Sequence, residues 1–342
     1  MGPGAGHRAA TMTALQAVIE RECAAVSRAA GLAASPVTID PAQLLMRDRD
    51  LATPGEISPN GSCRLVQALD GWIAVNLPRS EDREAVPAWL ECTAAEDIWP
   101  VIMREAAKRP TGWLIERAQL LQLAVTAAGE TAPALPKHLH PATRPPASTL
   151  RGIKVVDLSV LWAGPLAAGL LAMLGADVTR IESEKRPDPG AQTTPMHDQW
   201  LNGAKHRIKG EPGDTETRDM IAGADILVTS ARQHILARHG LTPEALFAAN
   251  PRLIWIAITA HGWAGDNGLR TGFGDDCAAA GGLLDWQNGA PRFIGDALAD
   301  PLCGLLAARQ ALVMLAAGRA GLLDCALAPS AAWFAREAGI RA

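Results

Sequence analysis

The chain of 342 residues has no tyrosine at all and only four phenylalanines. A tyrosine general acid is therefore excluded from any reaction that the protein carries out. The six cysteines are scattered and form no C-x-x-C pair. In a chain of this length, such cysteines are typical of reduced, buried thiols in a cytosolic protein. We therefore predict a cytoplasmic location.

Long apolar runs and an excess of basic residues are also missing. No run approaches the roughly 18 apolar residues that a membrane span requires, and residues 1–10 lack the apolar core of a signal peptide. The net charge is −4, so nothing indicates a nucleic-acid partner or a membrane. Apolar residues make up 48% of the chain, enough for sizeable cores, and the length corresponds to about two domains.

The most informative segment is 151–178, which has the pattern strand, loop, helix, strand. A β-rich run at 153–158 ends in a loop that we expect to extend to Pro165. Apolar residues at helical spacing follow at 166–174, and Gly175 ends the helix. This is the first βαβ unit of a parallel sheet, and its first loop lies where such sheets bind ligands. The loop lacks both G-x-G-x-x-G and G-x-x-x-x-G-K-[ST], so neither a dinucleotide nor a P-loop nucleotide is indicated.

A proline-rich stretch at 131–148 divides the chain. Its five prolines cannot lie inside helices or central strands. We predict that it is a linker between a small α+β domain at 1–130 and a larger α/β domain at 149–342. His138 and His140 within it lack further ligands at a matching spacing, so we predict no metal site.

Local patterns predict the elements of both parts. The front part contains a hairpin whose turn is Asp70-Gly71; the later part alternates strands and helices, which predicts a Rossmann-like parallel sheet with right-handed crossovers. The predicted front elements are helices at 13–30, 86–93, 97–108 and 111–128 and the hairpin strands 64–68 and 72–77. The predicted later elements are 153–158, 166–174, 177–182, 215–222, 225–229, 243–249, 252–259, 277–284, 301–317 and 322–326.

The second part resembles the family III coenzyme A transferases, the CaiB/BaiF group that includes formyl-CoA transferase. That family opens with G-I-x-V-x-D-x-[ST], an A-G-P loop and L-G-A-[DN]-V, and continues with A-D-V-V-V, L-x-R-x-G-L, N-P-R-L-I and D-x-x-x-G. The residues that carry the resemblance are Gly152, Ile153, Val155, Asp157, Ser159, 163–165, 174–178, 224–228, 236–241, 250–254, Asp300 and Gly304. The front hairpin is similar to a strand of the family's small domain, which there follows the start of the CoA domain. The chain is therefore interpreted as a rearranged or truncated member.

The resemblance makes Asp300 the candidate catalytic residue. Its position before Pro301 and an apolar helix also suits a carboxylate that only caps a helix. The implied reaction transfers coenzyme A between an acyl-CoA and a small carboxylic acid through an aspartyl-CoA thioester. Gly281, Gly282 and Gly304 are candidate points of close backbone approach near the oxyanion.

The resemblance also implies a set of residues that bind coenzyme A. Trp162 is expected to stack on adenine or to be a core indole. Arg238 matches an arginine that contacts a CoA phosphate, with a solvated cation at a helix end as the alternative. The implied coenzyme A ligands are Val160, Leu161, Trp162, Ala163, Lys205 and Arg238.

Two other functions remain open. The family's D-L-K lysine is absent where Gly210–Gly213 stand, and Ser230-Ala231 replaces its N-F pair. These departures favour a non-catalytic or subunit-type homologue that acts as a binding partner. An acyl-CoA isomerase or racemase is less favoured, because Phe273 stands where racemases have a histidine. We interpret His261 as a loop histidine and Cys303 as a buried thiol.

The family threads two subunits through each other by long linkers. The segment 131–148 is long enough, at about 3.1 Å per residue in a polyproline conformation, to cross a partner subunit. The resemblance therefore implies a homodimer, interlocked or not, and the homodimer is also the commonest symmetric assembly.

Overall fold

The structure is a computed structural model that describes residues 3–29, 38–48, 50–93 and 96–340. Its strands are β1 (Cys63–Gln67), β2 (Trp72–Asn76), β3 (Ala124–Ala127), β4 (Lys137–Thr143), β5 (Lys154–Asp157), β6 (Asp177–Glu182), β7 (His206–Lys209), β8 (Ile226–Thr229), β9 (Ile254–Thr259), β10 (Leu284–Gln287), β11 (Ala290–Phe293) and β12 (Arg319–Ala326). Its α-helices are α1 (Pro3–Ala29), α2 (Pro41–Leu45), α3 (Ser80–Glu84), α4 (Val86–Leu90), α5 (Ile98–Ala106), α6 (Thr111–Leu120), α7 (Ala163–Met173), α8 (Gly190–Thr193), α9 (Pro195–Asn202), α10 (Thr215–Ala222), α11 (Gln233–Arg238), α12 (Pro243–Ala249), α13 (Gly274–Ala280), α14 (Ala299–Ala316) and α15 (Leu327–Glu337).

The large sheet has seven strands in the order β4-β12-β9-β8-β5-β6-β7. All neighbours are parallel except β4, which is antiparallel to β12. From β5 the chain first builds outward through β6 and β7, and then returns to build through β8 and β9 on the other side. The connections after β5 and β8 therefore diverge and leave a crevice between them. The predicted α/β class with a mostly parallel sheet is confirmed.

The predicted βαβ unit is present as β5, α7 and β6, but its loop is shorter than expected. Residues 163–165 form the first turn of α7 and not the end of the loop. Pro165 suits this place, because the first turn of a helix needs no backbone N–H donor there. A side chain on Gly164 would overlap Ser159, so the glycine lets the helix begin directly beside the strand end.

The front part contains a three-stranded antiparallel sheet in the order β1-β2-β3. The predicted hairpin at Asp70-Gly71 is confirmed by the pairing of β1 with β2. The helix predicted at 111–128 is wrong in its second half, because α6 ends at Leu120 and the chain then pairs with β2 as β3. Val125 is buried in that strand. The pairing with β2 outweighs the helical pattern from which the segment was predicted.

The segment predicted as an extended linker contains a strand. Residues 137–143 form β4 on the edge of the large sheet. Pro141 lies within it, which an edge strand tolerates because one side of its backbone needs no ladder hydrogen bond. His138 contacts the carbonyl oxygen of Ala320 through Nε2 at 2.8 Å. Seven residues of the predicted linker are therefore held in the large sheet, and the division of the chain at 131–148 stays a prediction.

Helix α14 lies at the centre of the main core. It packs against α7, α1 and α15, and within the described residues it is the one helix long and apolar enough to cross a membrane. Most of it is buried, as expected for a core helix of a folded domain. Helix α1, although it belongs to the predicted front domain, contributes Leu15, Ile19 and Val26 to this same core.

Candidate active site

A pocket of about 440 Å³ opens beside the C-terminal ends of β5 and β6. Residues from the later part of the chain form one wall, and residues from the front part form the other. The lining includes Leu161, Trp162, Phe273, Gly274 and Asp300 from the later part and Arg47, Asn60, Asn76 and Arg83 from the front part. The structure thus brings Asp300 together with two residues of the predicted CoA loop.

Asp300 lies in the first turn of α14. The helix begins at Ala299, with Leu298 as its N-cap, so the expectation that Asp300 caps the helix is wrong. Its half-buried carboxylate lines the pocket instead. Burial raises the pKa of Asp300 to about 7; Arg47 opposes this rise, and neighbouring carboxylates, Asp275 first among them, add to it. Such a carboxylate is poorly solvated and still partly ionised at neutral pH.

Three further aspartates surround Asp300, and an asparagine from the front part joins two of them. Asn60 Nδ2 donates to Asp275 Oδ2 and to Asp296 Oδ1, each at 2.6 Å. The backbone N–H of Ala297 donates to the other Asp275 oxygen at 2.7 Å. Burial and the charge of Asp296 raise the pKa of Asp275 to about 6. These hydrogen bonds therefore connect the loop before α14 both to α13 and to the front part of the chain.

Asp276, the third aspartate, is fully buried. Asn76 Nδ2 and the backbone N–H of Phe273 donate to its Oδ1 at 2.8 and 2.9 Å, and burial raises its pKa to about 7. Its carboxylate also lies within 4.8 Å of possible ligand atoms on His261 and Cys277, the one such group found among the described residues. The absence of a metal therefore stays a prediction. Burial, with the charge of Arg270, lowers the pKa of His261 to about 3, so this histidine is neutral.

The loop after β5 crosses the crevice. The backbone N–H of Val160 donates to Ser230 Oγ at 2.9 Å, which links the ends of β5 and β8. Leu161 has a φ of 70°, a left-handed conformation that is strained for a leucine, and its N–H donates to Asp188 Oδ2 at 3.0 Å. Val160 and Leu161 are both exposed. Ala163, in contrast, is buried in α7 and cannot contact a ligand through its side chain.

Trp162 is a core indole that also borders the pocket. It is 2% exposed, and its ring packs edge-on against His197 with the centroids 4.8 Å apart. The guanidinium of Arg47 lies 4.3 Å from its ring centroid. Of the two expectations for Trp162, the buried core indole agrees with the structure, and the stacking on adenine stays a prediction.

Two predicted CoA ligands lie away from this pocket. The ammonium of Lys205 is fully buried and donates to Asp157 Oδ2, to the Pro165 carbonyl oxygen and to Asn202 Oδ1, all within 2.8 Å. Burial lowers the pKa of Lys205 to about 8, although Asp157 opposes the change. Lys205 is therefore bound by protein groups in this structure, and its role as a coenzyme A ligand stays a prediction. Arg238 is exposed at the end of α11, outside the pocket lining.

Two of the predicted close-approach glycines, Gly304 and Gly281, serve helix packing. A Cβ on Gly304 would lie 2.5 Å from the carbonyl oxygen of Ala163, so the glycine brings α14 against α7. A Cβ on Gly281 would lie 2.5 Å from the backbone nitrogen of Ala332 in α15. The glycine in the D-x-x-x-G match thus positions the helix that carries Asp300, and does not itself line the pocket.

Sequence reasoning missed every pocket residue of the front part, since Arg47, Asn60 and Asn76 belong to no motif. It also missed a group of arginines near the crevice. Burial and the charges of Arg79 and Arg186 lower the pKa of Arg232, so two other arginines influence this guanidinium electrostatically. Such a group suits an anionic ligand. This influence is visible only after folding, because 79, 186 and 232 are far apart in sequence.

Comparison with known proteins identifies the family. The model of CoA-transferase family III matches residues 150–340. The alpha subunit of succinyl-CoA–L-malate CoA-transferase of Chloroflexus aurantiacus is 30% identical over 218 residues, which cover 54% of this chain and 51% of that protein. Succinate–glutarate CoA-transferase of Agrobacterium fabrum is 28% identical over 185 residues, 48% of this chain and 46% of the relative.

Among solved structures, a CAIB/BAIF family protein from Brucella suis is 30% identical, with a TM-score of 0.49 and coverage of 56% of this chain and 55% of that one. The chain spans about half the length of the curated relatives that it matches. The family match extends over more than half of the residues, from just before β5 to the end of α15. The chain therefore belongs to CoA-transferase family III.

Proposed function

We propose that the protein transfers coenzyme A between an acyl-CoA and a carboxylic acid, with Asp300 as the nucleophile. The observation that carries this proposal is the position of Asp300, whose carboxylate shares a pocket with Leu161 and Trp162 of the loop after β5. A carboxylate in such a place is a competent nucleophile toward a thioester carbonyl carbon. The pocket lies beside the C-terminal ends of β5 and β6, and it shares the loop after β5 with the crevice at which an open α/β sheet binds its ligands.

The reaction is a double displacement. The Asp300 carboxylate attacks the thioester carbonyl carbon, the C–S bond breaks, and a mixed anhydride and CoA thiolate result. The thiolate then attacks the Asp300 carbonyl carbon of the anhydride, which gives an aspartyl-CoA thioester and releases the donor acid as its carboxylate. The acceptor carboxylate attacks this thioester, and the thiolate finally attacks the acceptor carbonyl carbon and frees Asp300.

The surroundings of Asp300 suit these steps. Burial disfavours the charged carboxylate, which makes it more reactive, while Arg47 keeps its pKa from rising further. The exposed loop residues Val160 and Leu161 border the crevice, where we place the coenzyme. The arginine group around Arg232 supplies cations for its phosphates, in place of Lys205.

We further propose a cytoplasmic homodimer; light scattering that gives a mass near 36 kDa at micromolar concentration would reject the dimer.

A second function is favoured by one observation. Gly210–Gly213 replaces the family's lysine segment. A subunit-type homologue that binds a partner without turnover would tolerate this loss. A racemase is not favoured, since Phe273 lines the pocket and cannot transfer a proton.

Mass spectrometry distinguishes these functions. The protein is incubated with an acyl-CoA and digested, and the peptide that contains Asp300 is examined for a CoA thioester. We expect the adduct in the natural chain and none in Asp300→Asn. If the natural chain alone gives neither adduct nor exchange, the subunit-type function replaces the transferase.

A further inference from the structure

Three buried side chains with metal-binding atoms meet between α13 and the loop after β9. The ligand atoms of His261, Asp276 and Cys277 all lie within 4.8 Å of one another, and the three residues are at most 5% exposed. Zinc binds histidine nitrogen, carboxylate oxygen and thiolate sulfur, so it accepts this mixed set of ligands. The group is therefore a candidate metal centre, and its surroundings decide whether it can hold an ion.

The imidazole of His261 is the observation that points to a ligand. A neutral imidazole has one donor and one acceptor nitrogen, and neither nitrogen of His261 has a hydrogen-bond partner among the described residues. The side chain is nevertheless buried, and burial of a polar group without a partner is unfavourable. Because nearly all buried polar groups are paired, an orphaned one indicates a bound water or ion. The imidazole lies beside Asp276 and Cys277, which supply the other ligand atoms.

The carboxylate of Asp276 is oriented by two hydrogen bonds. Its Oδ1 accepts from Asn76 Nδ2 at 2.8 Å and from the backbone N–H of Phe273 at 2.9 Å. Its Oδ2 lies 3.8 Å from Cys277 Sγ. Hydrogen bonds of this kind orient the carboxylates that bind metal ions. Oδ1 is therefore bound to the protein, and Oδ2 is the oxygen that can bind an ion.

The separation of these two ligand atoms suits zinc. Zn–S bonds of about 2.3 Å and Zn–O bonds of about 2.0–2.2 Å place sulfur and oxygen about 3.5–3.7 Å apart around a tetrahedral ion. The observed distance between Asp276 Oδ2 and Cys277 Sγ is 3.8 Å. With a Zn–N bond of about 2.0–2.1 Å, the imidazole nitrogen must approach each of these atoms by up to about 1.4 Å. A small rotation of the His261 ring provides such a shift.

The surroundings leave space for an ion and a water molecule. A Cβ at Gly272 would lie 2.7 Å from Cys277 Sγ and 2.9 Å from Asp276 Oδ2, so the glycine keeps the two ligand atoms uncrowded. His261 also borders a cavity of about 20 Å³, which has room for about one water molecule. Zinc sites with three protein ligands take water as the fourth.

The charges of such a site also balance. Zn²⁺ bound by a thiolate, a carboxylate and a neutral imidazole has no net charge, so no uncompensated charge is buried in the core. Binding releases the thiol proton to solvent, because the thiolate is the form that binds a metal.

We propose that His261, Asp276 and Cys277 bind Zn²⁺, which connects α13 to the loop after β9. This inference does not depend on the proposed transferase function, and it replaces the absence of a metal that the sequence predicted. The sequence gave no signal for this group, because its ligands match no metal-binding spacing. Helix α13 begins at Gly274, which lines the pocket together with Asp300, so the ion would hold one wall of the pocket in place.

The test measures zinc binding by the full chain. Protein treated with a chelator and dialysed is titrated with Zn²⁺, and the bound metal is quantified by inductively coupled plasma mass spectrometry. We expect a single Zn²⁺ per chain and an unfolding temperature that rises with the Zn²⁺ concentration, since a ligand of the folded state stabilises it. A natural chain that takes up no Zn²⁺ would overturn the proposal.

Variants locate the site. Cys277→Ala and His261→Phe should each weaken Zn²⁺ binding by more than the roughly 10- to 100-fold loss that follows removal of a residue that only orients a ligand. Cys303→Ala is the matched control, because Cys303 is another fully buried thiol whose Sγ, like that of Cys277, contacts a backbone carbonyl oxygen. It should bind Zn²⁺ as the natural chain does. Unchanged affinity in Cys277→Ala, or an equal loss in Cys303→Ala, would contradict the assignment.

Cobalt identifies the sulfur ligand in the natural chain, so this measurement does not depend on the folding of a variant. A thiolate bound to Co²⁺ gives a charge-transfer absorption in the near ultraviolet, which sites made only of imidazoles and carboxylates lack. We expect this absorption in the natural chain and in Cys303→Ala, and its loss in Cys277→Ala. Uptake of Co²⁺ without the absorption would assign the metal to groups such as His138 and His140 of β4 and would overturn the buried site.

Discussion

Gly274 and Asp300 lie in direct contact at the pocket wall: a Cβ added to Gly274 would overlap Asp300 Oδ2 and would lie 2.5 Å from the Ala297 carbonyl oxygen. Gly274 begins α13, and Asp300 lies in the first turn of α14. The absence of a side chain at 274 therefore allows the two helices to converge on the carboxylate.

Gly274→Ala should displace Asp300. We expect transfer to fall at least tenfold and the free energy of unfolding to fall by about 1–3 kcal/mol, as for other overpacked sites. Exchange assays and urea denaturation measure the two effects. Gly112→Ala is the control, because nothing lies within 4 Å of a Cβ at that helical position and alanine favours a helix. Full activity of Gly274→Ala would show that the contact does not position Asp300.

The transfer rate should depend on the ionisation of Asp300. Its pKa of about 7 means that the reactive carboxylate is a minor form at pH 6 and the major form at pH 8. We expect kcat/KM to rise with pH and to level off above about pH 8. A profile that is flat from pH 6 to 8 would contradict the nucleophile role or the raised pKa.

Stability should change with pH in the opposite direction. The pKa values of Asp275, Asp276 and Asp300 are raised to between about 6 and 7, so the folded state binds more protons than the unfolded state above about pH 4. The free energy of unfolding should therefore fall as pH rises from about 4 to 7. Urea denaturation at several pH values measures this. Asp276→Asn should flatten the dependence, whereas Asp177→Asn, at an exposed position, should not.

The Lys205–Asp157 ion pair should be important for folding. Lys205→Met would leave Asp157 buried with one cation fewer, and removal of one partner from a buried pair typically costs about 3–5 kcal/mol. The matched control is Lys209→Met, since Lys209 and Glu184 are also 2.7 Å apart but are mostly exposed. That change should leave the free energy of unfolding nearly unchanged, because solvent screens an exposed ion pair. Similar losses in both variants would reject the structural role of Lys205.

The sequence was sufficient to predict the bounds of those helices and strands in which the local pattern and the tertiary environment favour the same structure. The predicted bounds of β6, α10 and α12 are those observed, because apolar periodicity and the flanking cap residues coincide there. Residues 124–127 were predicted as helix and form a strand, since a pairing with β2 decides their state. Residues 137–143 were predicted as linker for the same reason: their partner, β12, lies far along the chain.

The candidate site was predictable only where the resemblance supplied a motif. Asp300 and Leu161 were found in this way, and the structure places both in one pocket. The same matches led to Lys205, whose burial by Asp157 and Asn202 depends on how α7 packs. Arg47 and Asn60 carry no local signal, because their role comes from the docking of the front part on the α13 and α14 side of the pocket.

The antiparallel edge strand β4 has a consequence for how the chain can be divided. It covers β12, an eight-residue strand of which all but the first residue are buried. The family match begins at residue 150, after β4, so a shortened chain starting there would present β12 as a bare apolar edge. Such edges pair with other chains and aggregate, whereas β4 ends the sheet with a proline and mostly exposed or half-buried side chains. The segment that matches the family model is therefore smaller than the set of strands that covers β12.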